Sequence, residues 1–319
     1  MNPPPPPFRF RPRDDFTMDP ALDDRALSRA RDALAMGRWT EARSLLAATG
    51  RDWDRRAHRV TVLAEPAARS RWADEWLMAE PDSADAAVLA AHAAVVSAVR
   101  GEIPAADAEA ACTSAARSLP EDPTPWYGLL LLVRHTSTDS GRLKACFDQV
   151  RSRDPWHHGA HHAMTAWLAE RRESAADDPF HEVYEFADQV VWERPPGSPL
   201  AMLPVIAHAE RFRVLMTARQ LAPDIADSLY WTSARARRGL RLAFDWWLEG
   251  EGRDHARLKL DLNYLAHAKY HEGRTTEAAA LFNVIGPHAT REPWAYGEPD
   301  AAEAFRRARA RARGGRPGS

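Results

Sequence analysis

Residues 118–122, Ser-Leu-Pro-Glu-Asp, stop one helical pattern at Pro120 and precede the next one. A proline cannot continue a helix, because it lacks the amide hydrogen and its ring clashes with the preceding turn. Three other segments have the same form, and they are Ala79-Glu80-Pro81-Asp82, Arg153-Asp154-Pro155 and Trp192-Glu193-Arg194-Pro195-Pro196. The four prolines are separated by 39, 35 and 40 residues. A period of this size in a helical chain predicts a stack of helix pairs.

Helical periodicity extends over almost all of the chain between its termini, and proline and glycine fall between the periodic stretches. No segment alternates apolar and polar residues as a half-buried strand would. We predict helices at residues 22–36, 39–48, 66–79, 83–100, 104–118, 123–136, 139–153, 155–172, 178–194, 198–218, 224–249, 254–272, 274–286 and 299–312. The predicted fold class is therefore all-α.

The two cysteines occupy equivalent places in this repeat. Each follows an alanine, and each precedes the terminal proline of its unit by eight or nine residues. Small residues let two helices approach closely, and a free cysteine behaves as a small apolar side chain. We predict that Cys112 and Cys146 are buried packing residues, without a disulfide or metal role.

Two segments near the ends of the chain share a motif. Gly37-Arg38-Trp39-Thr40-Glu41-Ala42 is similar to Gly273-Arg274-Thr275-Thr276-Glu277-Ala278. This pattern resembles the tetratricopeptide repeat, in which a small residue ends the first helix and an alanine packs on the second. The resemblance is best at residues 22–48 and 258–286. Between residues 80 and 200 only the small-residue and terminal-proline positions fit. It implies a right-handed solenoid of helix hairpins, with a concave groove that binds peptides.

Composition divides the chain into five predicted segments. The first is a proline-rich, disordered leader, because consecutive prolines favour an extended conformation without internal hydrogen bonds. A long helix that carries several arginines interrupts the repeat period. The segments are a leader at 1–20, a helical-repeat array at 21–218, a long-helix insertion at 219–252, a C-terminal helix pair at 253–298, and a basic helix and tail at 299–319.

Bulk properties exclude several classes of protein. The chain has 319 residues, a formal net charge of −2 and two cysteines. This balance argues against a dedicated nucleic-acid-binding protein, although an arginine strip at 235–241 would suit one. No apolar run is long enough to span a membrane, and residues 1–7 lack a secretory pattern. We therefore expect a cytoplasmic protein that binds neither membranes nor nucleic acid.

The resemblance favours an interaction protein that docks a peptide or protein segment in its groove. His158 and His162 lie one turn apart on a predicted helix, on the side opposite its apolar stripe, so we expect both to face outward. The residues expected to line the groove are Tyr127, Arg134, His158, His162, His208 and Glu210. No phosphate loop or nucleophile elbow is present, which favours a binding protein over an enzyme.

The histidines suggest an alternative function. Histidines at positions i and i+4 of a helix can direct two ring nitrogens at one metal ion. The pairs His158–His162 and His267–His271 have this spacing, but neither has the glutamate of a zincin motif. The alternative is therefore an all-helical enzyme or metal-binding protein that holds a divalent transition metal. Otherwise we expect no cofactor.

Overall fold

The computed structural model describes residues 15–70, 72–171, 178–219, 221, 229–250 and 254–314. These residues form an all-α structure without strands, in which an isolated bridge joins Thr17 to His288. The α-helices are α1 (Arg25–Ala35), α2 (Thr40–Thr49), α3 (Trp53–Ala68), α4 (Trp72–Ala79), α5 (Ala84–Val99), α6 (Ala105–Ser118), α7 (Thr124–Thr136), α8 (Ser140–Arg151), α9 (His158–Glu170), α10 (Glu182–Glu193), α11 (Leu203–Thr217), α12 (Ala234–Glu249), α13 (Leu258–His271), α14 (Thr275–Ile285) and α15 (Ala301–Ala312).

Four helices end just before the four repeat prolines, as the sequence predicted. Helices α4, α6, α8 and α10 end two to four residues before the four repeat prolines. Polar side chains then cap several of the helices that follow. The Ser83 hydroxyl accepts a hydrogen bond from the Ala86 amide at the start of α5, at 3.2 Å. Cys112 and Cys146 are both buried and free, as expected.

Most of helix α3 was not predicted; only its last three residues fall in the predicted helix 66–79, the rest of which contains α4. The N-terminus of α3 is capped by Asp52, which accepts a hydrogen bond from the Arg55 amide. Two features conceal it in the sequence. Arg56 occupies a buried position, so a charge interrupts the apolar stripe. Pro66 lies in the last turn of α3, and the helix continues past it to Ala68.

The predicted leader, insertion, C-terminal helix pair and tail fall partly outside the described residues: positions 1–14, 220, 222–228, 251–253 and 315–319 of these segments are not described. Within the insertion, the long helix is shorter than predicted. Helix α12 begins at Ala234, where the Ser233 hydroxyl accepts a hydrogen bond from the Ala236 amide. A short 3-10 turn, Tyr230–Thr232, precedes it.

Two kinds of helix contact organise the fold. Helices that follow one another in the chain form contacting pairs, namely α1 with α2, α5 with α6, α7 with α8, and α13 with α14. The first helices of successive pairs also contact one another in order, from α1 through α3, α5, α7, α9 and α11 to α13. One large apolar cluster extends from α3 to α15, and a second one lies between α1 and α5.

The two ends of the described chain contact each other. The Thr17 amide donates a hydrogen bond to the Pro287 carbonyl at 2.8 Å, and the Phe16 ring packs 4.7 Å from the Phe305 ring. Helix α3 also contacts α9 across the interior. The face shared by the first helices is therefore enclosed, and α9 is buried from His158 to Ala169.

This enclosure corrects the predicted exposure of the groove residues. Five of the six are buried, namely Tyr127, His158, His162, His208 and Glu210. Arg134 is half-buried and pairs with Glu170 at 2.9 Å. A helical wheel distinguishes the most apolar face from the rest, but it cannot show that the polar face packs against other helices as well.

Candidate metal centre

The centre is built around the first turn of α9. The turn at Asp154 and Pro155 leads into His157, whose Nδ1 accepts a hydrogen bond from the Ala160 amide at 3.1 Å. The Asp54 carboxylate, from α3, accepts one from the His158 amide at 2.7 Å. A carboxylate at this end of a helix also interacts favourably with the helix dipole. Asp54 therefore fixes the backbone from which the next imidazole projects.

His158 and His162 lie on one side of α9 and reach a single carboxylate of α13. Their ring centroids are 4.2 Å apart. His158 Nε2 lies 2.7 Å from Asp261 Oδ2, and His162 Nε2 lies 3.6 Å from Asp261 Oδ1. His158 and Asp261 are each 1% exposed. The predicted pair thus meets an acidic partner about 100 residues away in sequence.

A third imidazole joins from the segment that precedes α13. His255 Nε2 lies 3.8 Å from Asp261 Oδ2, and its ring centroid is 5.3 Å from that of His158. One ligand atom from each of His158, His255 and Asp261 can be chosen so that all three lie within 4.8 Å of one another. Such a group of imidazoles and a carboxylate is a ligand set typical of transition-metal sites.

The buried surroundings of the centre disfavour the charged forms of Asp261, His255 and His158. Burial raises the pKa of Asp261 to about 7, and the nearby charges of His255 and Arg257 lower it only in part. Burial lowers the pKa of His255 to about 4 and holds that of His158 well below its usual value. Within the described part of the chain, Asp261 Oδ1 and His255 Nε2 are buried without a hydrogen-bond partner. Buried polar atoms left without partners are costly.

A second cluster of potential metal ligands lies near the start of α9 and is less suited to a metal ion than the cluster around Asp261. Asp54, Asp154 and His157 offer three clustered ligand atoms. Each of the three residues, however, already accepts a hydrogen bond from a backbone amide. The bonds to Asp54 and His157 are given above, and Asp154 accepts one from the Trp156 amide at 3.2 Å. These acceptors organise the start of α9, and we assign them that structural role.

His267 and His271 belong to a different environment. Their ring centroids are 4.4 Å apart, and His267 packs 5.2 Å from Trp294 and 5.7 Å from Trp231. Within the described ranges, no cluster of three potential ligands contains either histidine. The two predicted histidine pairs therefore do not meet at one site, and the aromatic surroundings of the second favour packing.

Arg134 and Glu210 belong to one hydrogen-bonded network that crosses four first helices. Arg134 and Arg213 both pair with Glu170, and Arg213 Nε donates to Glu210 at 2.8 Å. The other oxygen of Glu210 accepts from the Tyr296 hydroxyl at 2.6 Å and the Tyr264 hydroxyl at 3.2 Å. These partners account for the burial of Glu210 and leave it no role in the histidine cluster.

His208 lies in a third cluster. Its ring packs 4.5 Å from that of Tyr184, and its Nδ1 is 3.3 Å from the Tyr230 hydroxyl. Burial lowers the pKa of His208 to about 3, and the charge of Arg235 contributes to the shift. The buried ring is therefore neutral in the folded protein.

The low pKa of His208 predicts acid sensitivity. Above pH ~6.5 the ring is neutral in both states, whereas below it only the unfolded chain takes up the proton, so stability falls as pH drops from ~6.5 towards 3. At pH 5 the loss is about 2 kcal/mol. Urea unfolding of metal-free wild type and of His208→Gln across this range should show a shallower pH dependence in the variant. Equal slopes would contradict the prediction.

His255 and Asp261 were not among the predicted site residues. Neither is part of an i, i+4 histidine pair. A signal for Asp261 was nevertheless present, because it follows Leu258 by three residues and precedes Leu265 by four. A carboxylate on the apolar stripe of a helix indicates burial, and a buried carboxylate needs a partner. His255 precedes α13 and carried no comparable signal.

Comparisons of this chain with family models, with curated proteins and with solved structures found no match. Among the helices of the described residues, none combines the length and apolar character that crossing a membrane requires. The chemistry of the site therefore has to be inferred from its own residues.

Proposed function

We propose that this chain is a metal-binding protein that holds one divalent transition-metal ion between α9 and α13. His158, His255 and Asp261 are the proposed ligands. His162 lies beside the second oxygen of Asp261 and is the proposed outer partner, which orients that carboxylate. The observation that carries the proposal is the convergence of two imidazole nitrogens and a carboxylate at one buried point.

The spacing of the ligand atoms supports this assignment. A tetrahedral ion with bonds of about 2.0–2.1 Å holds its ligand atoms ~3.3 Å apart. The separations from Asp261 Oδ2, 2.7 Å to His158 Nε2 and 3.8 Å to His255 Nε2, lie on either side of that value. The three ligand atoms all lie within 4.8 Å of one another, so no ligand has to come from a distant part of the fold.

The identity of the ligands favours a transition metal over calcium or magnesium. Imidazole nitrogen suits zinc, iron, copper and nickel, whereas calcium and magnesium prefer sites made of oxygen. A divalent cation near Asp261 would also provide a partner for Asp261 Oδ1 and His255 Nε2, which have none among the described residues. Three protein ligands leave a tetrahedral ion one position for an external molecule, which is the arrangement of catalytic rather than structural zinc sites.

We propose that the scaffold around this centre is a stack of tetratricopeptide-like helix hairpins. The paired helices and the ordered contacts among first helices support that arrangement. Such stacks usually leave their first helices lining a groove, and here that face carries the metal ligands. The peptide-docking function predicted from the resemblance stays a prediction. The burial of Tyr127, His158 and His208 counts against a peptide reaching them.

Zinc titration of chelator-treated protein tests the proposed function. Calorimetry and elemental analysis should give one zinc ion per chain, and zinc should raise the melting temperature. His255→Ala should weaken zinc binding at least about 100-fold, because it removes a ligand. His162→Ala should weaken it about 10- to 100-fold, the range for an outer-shell partner.

His271→Ala is the matched control, because it removes one histidine of the other i, i+4 pair. Its zinc affinity should equal that of the wild type. Wild-type protein that takes up no zinc, or a His255→Ala variant that binds zinc as tightly as wild type, would overturn the proposal.

A further inference from the structure

A cationic side chain without a close partner lies next to the proposed metal centre. Arg257 follows His255 by two residues, and its carbonyl accepts the Asp261 amide in the first turn of α13. The side chain is half-buried, yet within the described part of the chain its guanidinium makes no hydrogen bond and no ion pair within 4.0 Å. A half-enclosed guanidinium in this condition is well suited to bind an anion.

The absence of a side chain at Gly159 lets Tyr127 and Arg257 approach the backbone of α9 closely. A Cβ atom at Gly159 would lie 3.0 Å from the Tyr127 hydroxyl oxygen and 3.1 Å from Arg257 Nη1. Two hydrogen-bond donors thus reach the same point on the backbone of α9, next to the ligand His158. The Tyr127 hydroxyl, like Arg257, has no hydrogen-bond partner among the described residues.

Formal charge around this point depends on the metal. Asp54, Asp261 and Arg257 together carry one net negative charge when both carboxylates are ionised. A bound divalent cation changes this to one net positive charge. A bound metal ion therefore makes the surroundings of these donors more favourable for an anion than they are in the metal-free protein.

We propose that Arg257 and Tyr127 hold a small oxyanion, the phosphate or carboxylate group of a metabolite, beside the metal ion. This inference rests on the proposed metal centre and specifies the class of molecule that occupies the open coordination position. Arg257 donates to the oxyanion through its guanidinium, Tyr127 donates through its hydroxyl, and the metal accepts one oxygen as a ligand.

Cobalt-loaded protein tests this assignment, because visible absorption of bound cobalt reports metal uptake and anion binding separately. Inorganic phosphate and acetate are titrated in parallel, and the tighter of the two identifies the chemical source. Either anion should change the cobalt spectrum with saturation. Arg257→Gln should weaken the tighter anion about 10- to 100-fold, the effect of one charge-assisted hydrogen bond.

Three comparisons make the test specific. Arg257→Gln should bind cobalt at least as tightly as wild type, because it removes a nearby positive charge, and this retained binding shows that the variant is folded. Tyr127→Phe should weaken the anion by a smaller factor, about 3- to 10-fold. Arg238→Gln, an exposed arginine of α12, should bind both cobalt and the anion as wild type does.

Each outcome decides between the two proposals. Failure of cobalt to bind wild-type protein would refute the metal centre itself and the anion site with it. Cobalt uptake without any response to phosphate or acetate would refute the anion site alone. Equal anion affinity in wild type and Arg257→Gln, or in metal-loaded and metal-free protein, would also refute it.

Discussion

Asp261→Asn should lower zinc affinity at least about 100-fold and leave the metal-free protein as stable as wild type, or more stable. The carboxylate is 1% exposed, and its hydrogen-bond partner among the described residues, His158 Nε2 at 2.7 Å, belongs to an imidazole that burial keeps neutral. Asparagine keeps its shape and removes a buried charge, a change that is often neutral or stabilising. Its neutral amide oxygen is a much poorer ligand. Zinc titration and urea unfolding with and without a chelator measure the two effects.

Asp122→Asn provides the control for this prediction. Asp122 is also 1% exposed, but its carboxylate accepts a hydrogen bond from Arg56 Nε at 2.7 Å. We expect this variant to lose stability with or without zinc and to keep its zinc affinity. If Asp261→Asn behaved in the same way, Asp261 would be a structural residue and the metal assignment would be wrong.

Arg56→Met should destabilise the protein by about 3–5 kcal/mol, the cost of leaving a buried charge unpaired. Arg56 is 2% exposed and joins α3 to two other segments, through Asp122 and through Asp85 Oδ1 at 2.6 Å. Methionine keeps much of the side-chain volume and removes the charge. Urea unfolding at neutral pH measures the loss.

Two variants separate the charge effect from packing. The double variant Arg56→Met, Asp122→Asn should recover part of the loss, because the buried carboxylate is removed together with its partner. Arg51→Met removes an exposed arginine paired with exposed Glu121, and it should change stability by less than about 1 kcal/mol. A small effect of Arg56→Met would contradict the conclusion that its ion pairs hold α3 in the fold.

Local signals in the sequence were sufficient for most of the helices. Prolines such as Pro81 and Pro120 mark the ends of helices, since their effect on the backbone does not depend on the rest of the fold. Helix α3 was missed because Arg56 stands where an apolar residue would complete the stripe. The burial of Arg56 depends on its ion pair with Asp122, which is 66 residues away, and no local sequence pattern reveals that pairing.

The candidate site was accessible only in part, for a similar reason. The pair His158 and His162 was visible as an i, i+4 spacing. Its assignment to an exposed groove was wrong, because contacts between the chain ends and between α3 and α9 enclose that face. Asp261 and His255 reach the pair through tertiary packing, and sequence spacing within one helix carries no information about that approach.

X-ray absorption of the zinc-loaded protein is the most direct test of the metal centre. We expect nitrogen and oxygen ligands at about 2.0–2.1 Å and the outer-shell scattering of two histidine rings, and both features should be weaker in His255→Ala. A spectrum without imidazole scattering, or one that His255→Ala leaves unchanged, would contradict it.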